Sequence, residues 1–117
     1  MNIQRFSEAN FRRCISPKGF NHALWSWSSS DWFTAFVGEV GEAGNIIKKL
    51  NRVRDGIPGN KETEEELIED LKKELADVFI YLDLLCQALN VDLAKAVIEK
   101  FNAKSAEIGY PEIFEEG

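Results

Sequence analysis

Between positions 32 and 50 the apolar residues fall three and four apart. Phe33, Phe36, Val40, Ala43, Ile47 and Leu50 recur at about 100° per residue, which predicts an amphipathic helix with these six as its core stripe. A second run, Leu67, Leu71, Leu75, Val78, Leu82, Leu85 and Leu89, predicts another. The polar residues between the runs supply the ends. Ser30 or Asp31 is placed to cap the first of these helices, which is expected to reach about residue 54. Asp55-Gly56-Ile57-Pro58-Gly59-Asn60 then breaks it with two glycines and a proline in six residues. Thr63 with Glu66 has the form of a capping box, and acidic residues crowd the first turn where the helix dipole favours them, so the next helix is expected over about 63–89. Asn90-Val91-Asp92 reads as a turn, with Asp92 capping a helix to about residue 108; Gly109 ends it and Pro111 prevents its resumption.

A looser pattern, Phe6, Phe11 and Ile15, predicts one more helix at about 3–14, followed by a Pro/Gly/Ser-rich connection unusually full of aromatic residues. No segment alternates as a strand would, and no repeat or low-complexity tract is present. The expected fold class is all-α, four-helix-bundle-like with antiparallel helices joined by short loops, and 1–117 is expected to form one domain. A core from 117 residues is small enough that assembly as an oligomer would help to stabilise it.

Composition narrows the function classes. Hydrophobic residues make up 44% and charged residues 29%, an ordinary globular balance. A net charge of −6 argues against a nucleic-acid scaffold, which would carry a basic stripe. The N-terminus lacks the apolar core of a signal peptide, and no stretch reaches the roughly 20 apolar residues that span a bilayer, so a cytoplasmic protein without a membrane partner is expected. Cys14 and Cys86 follow no metal spacing; Cys86, in an apolar run, is expected to be a buried reduced thiol.

The charged residues that bear on chemistry sit beside the stripes. Glu39, Glu42, Ile46 and Lys49 fall along one edge of the first stripe, and Asp70, Glu74, Asp77 and Tyr81 along one edge of the second. Each of the pairs Glu39/Glu42 and Glu74/Asp77 is spaced i, i+3 and so shares a helix face. Either pair alone is an ordinary solvated face. Together, on the two most apolar helices and on matching edges, they can converge across the interface, where four carboxylates repel unless cations lie between them. Oxygen ligands without His or Cys point to Mg²⁺, with Mn²⁺ as a substitute. A ferritin-like di-iron site needs Glu-x-x-His on two helices, and the single histidine, His22, lies in the aromatic loop.

Phe36-Val37-Gly38-Glu39-Val40-Gly41-Glu42-Ala43, followed by Lys73-Glu74-Leu75-Ala76-Asp77-Val78-Phe79-Ile80-Tyr81-Leu82, resembles the MazG-like nucleoside triphosphate pyrophosphohydrolases of the all-α superfamily, whose motif is E-x-x-E, a variable loop, then E-x-x-D. The likeness extends through Val91-Asp92-Leu93, Lys100-Phe101-Asn102 and Gly109-Tyr110-Pro111, a motif core of about 32–111; the stretch 51–61 looks like that of phage-type members. The resemblance implies Mg²⁺-dependent hydrolysis of a nucleoside triphosphate, expected to be a deoxynucleotide, to the monophosphate and pyrophosphate, in the upkeep of the nucleotide pool. It places the metal on Glu39, Glu42, Glu74 and Asp77, with Glu42 as the base acting on the attacking water, and it implies a homodimer or homotetramer. The other reading is a non-catalytic helical module that binds a nucleotide, a metal or a protein, which retention of four mutually repelling carboxylates disfavours.

Candidates for holding the substrate follow. Lys49 shares the edge of Glu39 and Glu42, and Lys100, Asn102 and Lys104 are the polar contribution of the last helix. Many relatives carry arginines just before the closing Tyr-Pro, where this chain has Ala106-Glu107-Ile108-Gly109, so Arg52, Arg54 or Lys61 would have to substitute. Trp25, Trp27 and Trp32 are three indoles within eight residues; they serve base stacking, packing of the loop over the bundle, or both. Trp25, Trp27 and Tyr81 are the candidates for contact with the base, whereas His22 is expected to be a capping or surface residue.

Overall fold

Local chemistry sets where the helices begin and end. In the computed structural model, which describes residues 1–115, the elements are α1 (Ile3–Ile15), α2 (Ser29–Asp55), α3 (Glu64–Ala88) and α4 (Leu93–Ile108), with a single 3₁₀ turn, Leu24–Ser26, between α1 and α2. No strand occurs among the described residues, and the all-α expectation is borne out. The cap of α2 lies earlier than the sequence predicts: Ser28 Oγ accepts from Asp31 N at 3.2 Å while Asp31 Oδ2 accepts from Ser28 N at 3.0 Å, a reciprocal box in which Asp31 is the third helical residue. Thr63 and Glu66 make the predicted box on α3, and Asp92 caps α4. α2 stops at Gly56, whose φ of 67° is the left-handed conformation glycine adopts without strain. Between α1 and α2 the chain doubles back so tightly that a Cβ on Gly19 would lie 2.0 Å from the Arg13 carbonyl oxygen.

The long helices α2 and α3 form the principal pair, and α1 packs against α3. Glu39 lies beside Asp77 and Glu42 beside Glu74, so the two long helices run antiparallel. α1 is joined to α3 by Phe6 against Phe79, with ring centroids 5.7 Å apart, and by a buried polar network. In that network Asn10 Nδ2 donates to Asp83 Oδ2 (2.9 Å) and to the Ile80 carbonyl (3.0 Å), while Gln87 Nε2 donates to Asp83 Oδ2 (2.8 Å) and to Ser7. Asp83 is 1% exposed, and its Oδ2 accepts from both amide side chains. Next to it Cys14, Leu24, Trp32 and Leu84 form the apolar core, flanked by Phe11, Tyr81, Leu85 and Ala88. Trp32 closes it by donating from Nε1 to the Leu24 carbonyl at 2.8 Å. Cys14 is buried and Cys86 half-buried; both are free thiols.

The core stripe of α2 differs from the one its periodicity predicts. Phe33, Val40 and Ile47 are 55%, 44% and 44% exposed. The face turned to α3 lies about 70° around the helix and carries Trp32 and Ala43, with Phe36, Glu39, Ile46 and Leu50 half-buried beside them. α2 is apolar over two adjacent faces, and the sequence period sums them. On α3, Leu67 and Leu84 are buried, whereas Leu75, and Leu89 at the C-cap, are half exposed. α4 leaves Val97, Phe101 and Ile108 open and meets the N-terminus through Ala94, Val97 and Ile98, which share a small cavity with Met1, Asn2, Ile3 and Phe114. The radius of gyration is 17.7 Å, where a compact 100-residue domain has about 13 Å. No helix among the described residues is long and apolar enough to cross a membrane.

Candidate active site

The antiparallel register of α2 and α3 carries two i, i+3 carboxylate pairs to the same level. Glu39, Glu74 and Asp77 each turn one oxygen into a cluster whose members lie within 4.8 Å of one another. Glu42 adjoins it, close enough to hydrogen-bond to Glu74 and to Glu39. The helices thus bring together all four carboxylates singled out in the sequence, with Glu42 on the solvent side and the other three half-buried.

Packing acidic groups this closely has an electrostatic consequence. Burial raises the Glu39 carboxyl above its ordinary range, and the charges of Glu42, Asp77 and Glu74 push it further in the same direction. Glu74 is raised first by its hydrogen bond to Glu42, then by burial and by the charges of Glu42, Asp77 and Asp70. Its Oε2 is buried with no hydrogen-bond partner. A buried acceptor left without a donor is costly, and a cation at this point would satisfy it. The donor set consists only of oxygen, which fits a hard divalent ion such as Mg²⁺ or Mn²⁺ and not zinc.

Tyr81 links this cluster to an aromatic cavity. Its phenol is raised by burial and then by the nearby charges of Glu39 and Asp77, and its ring lines a cavity of about 170 Å³ with Phe20, His22, Trp27, Trp32 and Leu84. His22 meets Trp27 edge-on at 4.5 Å between centroids, and Trp27 lies 4.7 Å from Trp32. His22 is more engaged than a surface residue: Ser26 Oγ lies 3.3 Å from its Nδ1, and its ring packs against both indoles, 5.4 Å from Trp32 between centroids. Trp32 combines a structural hydrogen bond with a place in the wall. Trp25 lies elsewhere, 64% exposed and tilted against Phe11.

The remaining candidates are dispersed. Lys49 is on the expected edge, but its ammonium is bound by Glu62 in the α2–α3 loop. Lys100, Asn102 and Lys104 stand on α4 and belong neither to the carboxylate cluster nor to the lining of the cavity. Lys104 pairs with Glu107, and Asn102 is occupied with the chain terminus, donating to the Phe114 carbonyl at 2.9 Å and accepting from Phe114 N at 2.8 Å. Sequence reasoning missed Glu62 and Phe20, which no spacing ties to the motifs. Asp83 carried a visible signal, a charge within the apolar run Tyr81-Leu82-Asp83-Leu84-Leu85.

Fold and site together define an all-α protein in which four carboxylates on an antiparallel helix pair adjoin an aromatic cavity. Over 68 residues, 58% of its length, the chain is 38% identical to dCTP pyrophosphatase 1 of Rattus norvegicus, of which this covers 38%. Over 66 residues, 56% of its length, it is 36% identical to the Gene 37 protein of Mycobacterium phage L5, of which this covers 54%. The chain thus matches about half or less of each relative's own length. No family model matches it, and no solved structure does. The chain is a distant homologue of these two proteins, and its resemblance to the MazG-like nucleoside triphosphate pyrophosphohydrolases is borne out at that level.

Proposed function

We propose that the protein hydrolyses nucleoside triphosphates, expected to be deoxynucleotides, to the monophosphate and pyrophosphate with Mg²⁺ as the cofactor. The observation that carries this reading is the convergence of Glu39, Glu42, Glu74 and Asp77, with a buried, unpartnered Glu74 oxygen, next to an aromatic cavity through Tyr81. Distant homology to a dCTP pyrophosphatase supports the same class of reaction.

In this reading Glu39, Glu74 and Asp77 would hold the cation, with Glu42 beside them as the fourth carboxylate. A divalent ion bound there would supply the positive charge that neutralises a triphosphate and polarises its phosphoryl group. Glu42, exposed to solvent beside Glu74, would take the proton of the attacking water. Trp27 and Tyr81 supply flat surfaces against which a base stacks. The whole chain, 1–117, acts as one such domain.

Oligomerisation belongs to the same proposal. Phe33, Val40 and Ile47 on α2, and Ile68 and Leu75 on α3 with Leu89 at its C-cap, lie at multiples of seven residues and are all more than a third exposed. Two such rows on a helix pair match what a second pair needs to close a four-helix bundle. The test is pyrophosphate release from a panel of ribo- and deoxynucleoside triphosphates, with and without Mg²⁺. Release that needs Mg²⁺ and disappears in Glu42→Gln supports the proposal; no release from any triphosphate defeats it.

A further inference from the structure

The α2–α3 loop adds a regulatory contact to that proposed site, and the inference rests on the reading that a triphosphate binds there. Lys49 is seven residues beyond Glu42 on α2, a turn of about 20° and a rise of about 10 Å along one edge. A triphosphate seated at the carboxylates and the four-carbon stem of a lysine cover that distance between them. The ammonium is already occupied, however, by the Glu62 carboxylate. Asn60 fixes the loop at the same point, donating from Nδ2 to the Lys49 carbonyl at 2.8 Å. The ion pair stays in contact with water, its side chains 41% and 27% exposed.

We propose that Glu62 is an exchangeable counter-ion for Lys49, holding the ammonium in place in the empty site and yielding it to the outer phosphates of a bound triphosphate. A half-exposed pair of single charges has a small net stability. A polyphosphate presents several charges and many acceptor oxygens to the same ammonium and displaces one carboxylate. Because Asn60 grips the backbone of Lys49 and not its ammonium, the loop keeps its anchor when the carboxylate lets go. The exchange then moves side chains only. Glu62 thereby sets affinity for the phosphate end of the substrate without touching the carboxylate cluster.

The experiment titrates inorganic tripolyphosphate with Mg²⁺ into the full chain by calorimetry, using wild type, Glu62→Gln, Lys49→Met and the double variant. Glu62→Gln is expected to bind about two- to fivefold more tightly, the range that loss of an exposed ion-pair competitor allows. Lys49→Met is expected to bind more weakly, and Glu62→Gln to have no effect in its background. Lys49→Arg keeps the Glu62 effect. A Glu62→Gln protein that binds no more tightly than wild type, or whose effect persists without Lys49, overturns the proposal. Thermal melting of each variant separates the exchange from a loosened loop, because loosening lowers the melting temperature without tightening binding. Pyrophosphate release is read in parallel. Normal release with tripolyphosphate binding indifferent to Glu62 defeats the exchange alone; an intact exchange without release from any nucleotide defeats the catalytic reading alone.

Discussion

Glu42 and Glu74 face each other from opposite helices close enough for their carboxyl groups to share a proton, and that hydrogen bond is the largest cause of the raised Glu74. Glu39 on one helix and Glu74 on the other are both made harder to ionise by burial and by the acids around them. The pair is a liability to the metal-free fold and an asset to any state that brings a cation.

The first prediction concerns this liability. A carboxyl whose folded pKa is raised binds more protons in the native state than in the unfolded chain, so stability falls as pH rises. The contribution of Glu39 and Glu74 is fully present below the unfolded carboxylate value and is lost as pH rises through their raised folded values. Metal-free protein should melt higher at mildly acidic pH than at pH 8, with a smaller difference in Glu39→Gln and Glu74→Gln. Added Mg²⁺ should raise the melting temperature of wild type at pH 8 and leave both variants nearly unchanged. Differential scanning calorimetry with and without a chelator measures all of these.

Turnover should depend on Glu42 in a different way from binding. If Glu42 takes the proton of the attacking water, Glu42→Gln lowers kcat by about 10²–10⁴-fold, the usual contribution of a general base. KM should change far less, because Glu39, Glu74 and Asp77 remain. Steady-state pyrophosphate release gives both constants.

For the aromatic wall, Trp27→Ala should raise KM by about five- to a hundredfold, the equivalent of losing about 1–3 kcal/mol of base stacking. Trp25→Ala, whose ring lies outside the cavity against Phe11, should leave KM within about twofold. Equal effects of the two substitutions would remove Trp27 from the base site.

Much of the fold could be read in the sequence because helix ends are local. The Thr63/Glu66 box, the Asp92 cap and the Gly109 stop all act within four residues, and each is where its pattern puts it. The carboxylate cluster could be read for a related reason: i, i+3 spacing fixes a face, and a short loop fixes the antiparallel partner. What could not be read depends on contacts distant in sequence. Rotation of α2 about its axis, which leaves Phe33, Val40 and Ile47 outside, depends on which of two apolar faces meets α3, and periodicity weights both equally. The capture of Lys49 by Glu62 and of Asn102 by Phe114 arises from loops whose paths no spacing rule specifies.

Those uncovered rows give a fourth prediction. Val40→Glu and Leu75→Glu, each placing a charge in a row at multiples of seven residues, should shift the protein to a smaller species in sedimentation velocity. Either change in a chain that was already monomeric would cost less than about 0.5 kcal/mol, as ordinary surface substitutions do. A large loss of thermal stability together with dissociation therefore identifies the rows as an interface.

Finally, Asp83→Ala should destabilise the protein by about 1–3 kcal/mol, because it strips the shared acceptor from the buried Asn10 amide and the half-buried Gln87 amide. Chemical denaturation measures this, and a neutral result would show that water replaces the carboxylate.

That network has a consequence for how the molecule can change over time. Asn10, Asp83 and Gln87 lock α1 to α3 on one side of the aromatic loop, and the Ser28/Asp31 box locks the start of α2 on the other. Between these posts the loop is pinned at Leu24, buried in the core and bonded to Trp32, while Phe20, His22 and Trp27 line the cavity. Insertions and exchanges among them can remodel the wall facing the cavity while the carboxylates, carried on the long helices, stay in register. Substrate preference in such a scaffold is free to drift separately from the chemistry.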